Sequence, residues 1–285
     1  MRDKLYSLWA AGLTLCVVFS AFSLFFASCT SQRNPEETAP PEHFSVETEA
    51  PTLIPEQETA PPAETEMPEE TAAMAPAVRL TETADAGREY LDKLTFLGDS
   101  TTYGIGYYYE HGYPELCPPA QIWTPKSGTL TLSYYAVATV VYPETGEELS
   151  IVDAAARAKP EYLVITLGVN GIAFMDEEWF IRDYTALVRD VQAASPDTRI
   201  ILNSIYPVAK SYAHQDQINN EKIAAANGWI ERVAENTGTK FLNSFEAVVG
   251  PDGALPEESQ NGDGLHLTGE AFNKVMVYIR THAYL

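Results

Sequence analysis

The chain has 285 residues and a formal net charge of −22, with 40 Asp and Glu against 18 Lys and Arg. Nucleic acid and anionic membrane surfaces need a basic footprint, so this balance excludes both as partners of the body of the chain. Of the three cysteines, Cys16 and Cys29 lie near the N-terminus and only Cys117 in the body, which leaves no intradomain disulfide and no CxxC metal or redox motif.

In chain order, Arg2, Asp3 and Lys4 precede a stretch from Leu8 to Ala27 without a charged residue. A run of about 20 apolar residues suits an export signal or a retained membrane anchor. Arg2 and Lys4 favour the cytoplasmic side, so either reading places the rest of the chain outside the cytoplasm. The run closes on "FFASC", in which Ala27 and Ser28 precede Cys29. This resembles the lipobox of bacterial lipoproteins, with Phe26 where leucine is usual, and the resemblance implies cleavage before Cys29 and lipidation of it. From Thr30 to about Thr83 the chain is Pro, Glu, Thr and Ala, with "ETAPP" at residues 37–41 and 58–62. Such a segment buries too little apolar surface to offset the entropy of ordering, so a disordered tether is expected. At about 3.1 Å per residue in polyproline II it would reach roughly 170 Å. The organisation read from sequence is therefore a signal or anchor over 1–29, a linker over 30–84 and a folded domain over 85–285.

Within that domain, apolar runs alternate with amphipathic helices, the pattern of an α/β fold with a parallel sheet. The runs are "KLTFLG", "YYAVATVVY", "EYLVITLG", "RIILNSIY" and "KFLN". Between them, Phe180, Tyr184, Leu187, Val188 and Val191 form one helical stripe, and Ile223, Ala226, Ile230 and Val233 form another that stops at Gly238. A last helix begins at Thr268 as N-cap and buries Phe272, Val275, Met276 and Ile279. Three layers, helix on sheet on helix, are expected. In such sheets ligands bind outside the carboxyl ends of the strands, where Gly98–Ser100, Gly168–Asn170 and the segment after Asn243 fall.

In "FLGDSTTYG" the chain leaves a strand and turns at once to Ser100, as either a nucleophile or an ordinary helix N-cap. A serine hydroxyl attacks at neutral pH only with an imidazole in hydrogen-bond reach and a third group to orient it. Of five histidines, His43 lies in the tether, and only His266 has a carboxylate at a suggestive spacing, Asp263 in "NGDGLHL". His282 near the C-terminus reads as a cation opposing a helix dipole. Donors for an oxyanion could come from the Ser100 N–H at a helix start, from the Asn170 carboxamide after "TLGVNGI", and from Gly128 in "PKSGTL", where the missing side chain permits close approach. Between the serine and that glycine lies a tyrosine-rich stretch, "YGIGYYYEHGYPELCPPAQIW". Its rings read mainly as packing, with Tyr103 and Trp123 the two offered as facing substrate.

"GDS" near the domain start, a glycine-bearing loop, "GVN" after a central strand and "DGLH" near the end together resemble the SGNH, or GDSL, hydrolase family. The resemblance implies a flavodoxin-like α/β/α sandwich with a parallel sheet of about five strands. It implies a relay of Ser100, His266 and Asp263, with an oxyanion hole of the Ser100 N–H, a glycine N–H and Asn170. Two departures stand out: Gly171 occupies the place where the family usually has aspartate, so Asn170 must be held by other groups, and the poorly matched glycine block suggests an altered second strand or added hairpin. The function expected is an extracytoplasmic, membrane-tethered serine esterase removing a small acyl group, such as acetyl, from a carbohydrate or cell-wall polymer. An O-acyltransferase using the same relay and a non-catalytic glycan-binding lipoprotein are the alternatives. No cofactor or metal is called for, since the phosphate loop, dinucleotide fingerprint and HExxH spacing are all missing from the sequence. The sequence leaves the oligomeric state open.

Overall fold

The computed structural model describes residues 77–285, which lie in the second of two compact units of the chain, Glu69–Leu285. The expectations for the signal, Cys29 and the linker up to residue 76 fall outside the described residues. Five parallel strands make the sheet: β1 (Leu94–Gly98), β2 (Ile122–Trp123), β5 (Tyr162–Thr166), β6 (Arg199–Asn203) and β7 (Lys240–Leu242), ordered β2-β1-β5-β6-β7. Two short strands, β3 (Thr139–Val141) and β4 (Glu148–Ser150), form a separate antiparallel hairpin.

The strands are apolar on both sides because both faces of the sheet are covered. Side chains alternate with period two. Leu97, Leu163, Ile165, Ile200 and Leu202 therefore join one core with α3 (Ile151–Ala158), α4 (Glu177–Ala194) and α5 (Asn220–Thr237). Phe96, Tyr162, Val164, Ile201 and Leu242 join the other core with α1 (Gly87–Leu91), α2 (Ser100–Glu110) and α6 (Gly269–Thr281). The three expected layers are present, and every residue of the three predicted helical stripes is buried. The helices start and stop where local chemistry dictates. Asp176, Asn219 and Thr268 cap α4, α5 and α6 through their side chains, and Gly238 ends α5 at φ 69°, a conformation that favours glycine.

Two expectations need correction. The run "YYAVATVVY" supplies no strand of the main sheet: its first residue, Tyr134, ends a 3₁₀ turn over Leu132–Tyr134, and the run then contributes β3 to the hairpin. The edge position beside β1 is taken by Ile122 and Trp123 instead. A strand of two residues leaves too little periodicity to read. The folded domain also begins earlier than residue 85. Val78 O accepts from Phe241 N, Leu80 N donates to Phe241 O, Arg79 pairs with Glu231 at 2.6 Å, and Thr83 N donates to Thr281 O. Residues 78–80 thus extend the β7 edge while Thr83 ties the segment to the end of α6, and the hydrogen-bonding capacity of that exposed edge outweighs their linker-like composition.

Candidate active site

The sheet order makes β1 the strand flanked on one side by β2 and on the other by β5, so the crevice of the topological switch opens at their carboxyl ends. Gly98 and Thr166 are register partners, so both strands stop at one level. Ser100 and Asn170 follow at the same rim. A Cβ on Gly98 would lie 2.0 Å from Thr102 Oγ1 and 2.6 Å from Thr166 O, so only glycine lets α2 start this close to β5.

Asp99, not Ser100, is the N-cap of α2. Its Oδ1 accepts from the Thr101 N–H (2.9 Å) and the Thr101 hydroxyl (2.7 Å), leaving Ser100 at the first helical position with its own hydroxyl free of capping duty. That hydroxyl lies 2.8 Å from His266 Nε2, and His266 Nδ1 lies 2.6 Å from Asp263 Oδ2. A carboxylate only accepts, so Nδ1 carries the ring proton and Nε2 accepts from the serine. Asp263 Oδ1 accepts from the N–H groups of Leu265 (2.8 Å) and His266 (2.9 Å), closing a tight turn around the histidine. Partial burial pushes the Asp263 carboxyl up, but the His266 ring and these backbone donors outweigh it and hold it at about 2. Gly264 gives this turn its shape: φ is 81°, and a Cβ would sit 2.6 Å from Tyr212 Cα.

Asn170 donates through Nδ2 to Asp99 Oδ2 (3.1 Å) and to the Leu130 carbonyl (3.2 Å). These are the groups that hold it in place of the residue after it. An aspartate at 171 would meet Met175 Sδ at 2.7 Å, counted from its Cβ alone. Asp99 is fully buried, and that burial raises its carboxyl to about 6 despite the Thr101 hydrogen bonds. The Ser100 N–H has no hydrogen-bond partner among the described residues, as expected for a first helical position.

Two proposed site residues are not where the sequence suggested. The Gly128 N–H already donates to Pro125 O at 2.8 Å and its φ of 75° marks a turn glycine, so the oxyanion-donor reading is corrected. Trp123 is buried in the β2 edge beside Tyr142, and its ring packs in the core rather than facing substrate. Tyr103 is exposed on α2. The sequence reading missed Asp99 as the anchor of Asn170 and the Leu130 carbonyl as its second acceptor. The first had a signal, an aspartate two residues before Thr101 at a helix start; the second is a backbone atom without one.

An α/β/α sandwich with serine, imidazole and carboxylate in hydrogen-bond sequence at a switch point defines a class, the serine-dependent acyl hydrolases. A family model described as GDSL-like lipase/acylhydrolase matches residues 96–272, more than half of the chain. The chain belongs to the GDSL-like lipase/acylhydrolase family, and it is an ester-hydrolysing enzyme. No curated protein matches it. Among solved structures, a candidate platelet activating factor from Streptococcus pneumonia is similar at 18% identity, with a TM-score of 0.50 over 66% of this chain and 81% of that one. A candidate SGNH hydrolase from Slackia heliotrinireducens is similar at 14% identity and a TM-score of 0.49, over 67% and 98%. A GDSL-like lipase from Bacteroides thetaiotaomicron gives 17% identity and a TM-score of 0.48, over 65% and 84%.

Proposed function

We propose that this protein is an extracytoplasmic, membrane-tethered serine esterase that removes small acyl groups, acetyl foremost, from a carbohydrate polymer. The observation that carries the reading is the continuous relay from Ser100 Oγ through His266 to Asp263, at 2.8 and 2.6 Å. In the reaction, His266 Nε2 takes the hydroxyl proton as Ser100 Oγ bonds to the ester carbonyl carbon. The same proton then passes to the leaving alcohol, and water repeats the sequence to release the acid. Asp263 keeps Nδ1 protonated and stabilises the imidazolium that forms. The oxyanion would meet the Ser100 N–H and the Asn170 carboxamide. Both Asn170 hydrogens are engaged, so the one now given to the Leu130 carbonyl is the one exchanged for the oxyanion, while the bond to Asp99 keeps the carboxamide aimed.

The extracytoplasmic location rests on the N-terminal charge pattern and the "FFASC" motif. Labelling by a fluorophosphonate tests the whole reading, since only an activated serine reacts appreciably: wild-type protein labels and Ser100→Ala does not. An unlabelled wild type would favour the glycan-binding alternative, and product analysis with an acyl donor plus free glycan separates hydrolysis from transfer.

A further inference from the structure

Ser100 shares a face of α2 with residues the relay does not use. At 100° per residue, Tyr107 lies about 20° and Tyr103 about 60° from Ser100 around the helix, roughly 10 and 5 Å along its axis. Helical side chains lean toward the N-terminus, so both rings reach back toward the nucleophile. Both are exposed, at 54% for Tyr103 and 42% for Tyr107, and their centroids are 6.4 Å apart. They stand in a groove of about 490 Å³ whose lining also includes Glu110, Lys126, Val141 and Pro143. Its volume falls within the roughly 300–1,000 Å³ of ligand sites. Gly106 forms part of it: a Cβ there would come 3.2 Å from Ile122 Cγ1, so the groove follows the seam between α2 and the β2 edge.

We propose that this groove is a subsite for a neutral glycan chain, seating consecutive sugar rings on Tyr107 and Tyr103 while the acylated ring reaches Ser100. The assignment rests on the esterase reading for its direction and adds the substrate class. Tyrosine offers a flat apolar face with a polar tip, which suits the C–H face and hydroxyl edge of a pyranose. Glu110 and Lys126 supply an acceptor and a donor for ring hydroxyls, whereas a lipid chain would bury them without partners. Tyr107 costs little to order against a ligand, because its position is already fixed. It is stacked on His111 with ring centroids 4.1 Å apart. A polyanionic glycan is disfavoured by the acidic chain, which carries 40 acidic residues against 18 basic ones.

The test is calorimetric titration of full-length Ser100→Ala protein, which leaves esters intact, with partially O-acetylated xylohexaose and with O-acetylated xylose. The hexasaccharide is expected to bind at least tenfold more tightly. Adding Tyr107→Ala or Tyr103→Ala should weaken it about tenfold, and Tyr107→Phe, which keeps the aromatic plate, should stay within about twofold. Near-ultraviolet circular dichroism establishes that each variant is folded, and Lys126→Ala, expected to weaken the hexasaccharide severalfold, replaces any that is not. Equal affinity for the two sugars would overturn the proposal, as would folded alanine variants that bind like the parent, or displacement of the hexasaccharide by dodecanoate. Because no turnover is involved, this outcome is independent of fluorophosphonate labelling, and the two readings can fail separately.

Discussion

One carboxyl group in the Gly98–Asp99–Ser100 turn serves two partners. Asp99 Oδ1 caps α2 and Oδ2 holds Asn170. Asp99→Asn should keep the cap but set an amide against the Asn170 amide, so kcat for p-nitrophenyl acetate is expected to drop about 10²-fold, toward the 10²–10³-fold loss expected of Asn170→Ala. Steady-state kinetics on the two variants checks this, and an unaltered Asp99→Asn rate would remove Asp99 from its positioning role. Its titration bears on stability too. The folded carboxyl, at about 6 against an ordinary 3.8, binds a proton more tightly than the unfolded one. Stability conferred by the protonated form is therefore fully present below about pH 4 and lost as pH rises through about 6, at a cost of order 3 kcal/mol. Asp263 has the opposite sign: its contribution is present above the ordinary carboxylate range and lost as pH falls toward about 2. Denaturant unfolding from pH 4 to 7 should show a downward slope that Asp99→Asn removes.

At the scale of elements, what fixes the site is how closely α2 and β5 approach. Gly98→Ala places a methyl inside contact distance of the Thr102 hydroxyl and, more seriously, of the Thr166 carbonyl, which belongs to a strand held on both sides. The strand cannot yield as a flexible side chain would. The substitution is expected to cost about 1–3 kcal/mol by overpacking and to lower kcat further by shifting Ser100 away from His266. Equilibrium unfolding and esterase kinetics on the same variant separate the two effects. The loop that carries His266 is braced by another close contact, Gly264 against the Tyr212 backbone, with Ala209 N donating to Gly264 O at 2.8 Å. The orientation of the histidine thus depends on a loop before α5 as well as on its own turn.

On the scale of the whole molecule, the domain closes over its β7 edge with a segment that looks like linker. A chain beginning at Asp85 loses the hydrogen bonds to Phe241 and the Arg79 pairs, so its stability is expected to fall by roughly 2 kcal/mol relative to one beginning at Ala77. Thermal unfolding of the two chains measures it. The esterase site lies at the carboxyl-end rim of β1 and β5, away from the strand that this segment pairs with, so p-nitrophenyl acetate turnover at temperatures where both are folded should be alike.

The sequence by itself determined the layered α/β class, three of the helices with their buried faces, the Thr268 cap and the Gly238 stop, and the residues Ser100, Asp263 and His266. Those features are local: a helical stripe, a cap and a short turn each leave their period or spacing in the chain. Only the tertiary structure decided that Ile122 and Trp123 form the edge strand, that Gly128 spends its N–H on a turn, and that Asn170 is held by Asp99 and the Leu130 carbonyl. A backbone carbonyl has no residue identity to read, and a strand of two residues has no periodicity. Contacts between residues 40 or 71 positions apart follow from where the strands end, which is set by packing of the sheet as a whole.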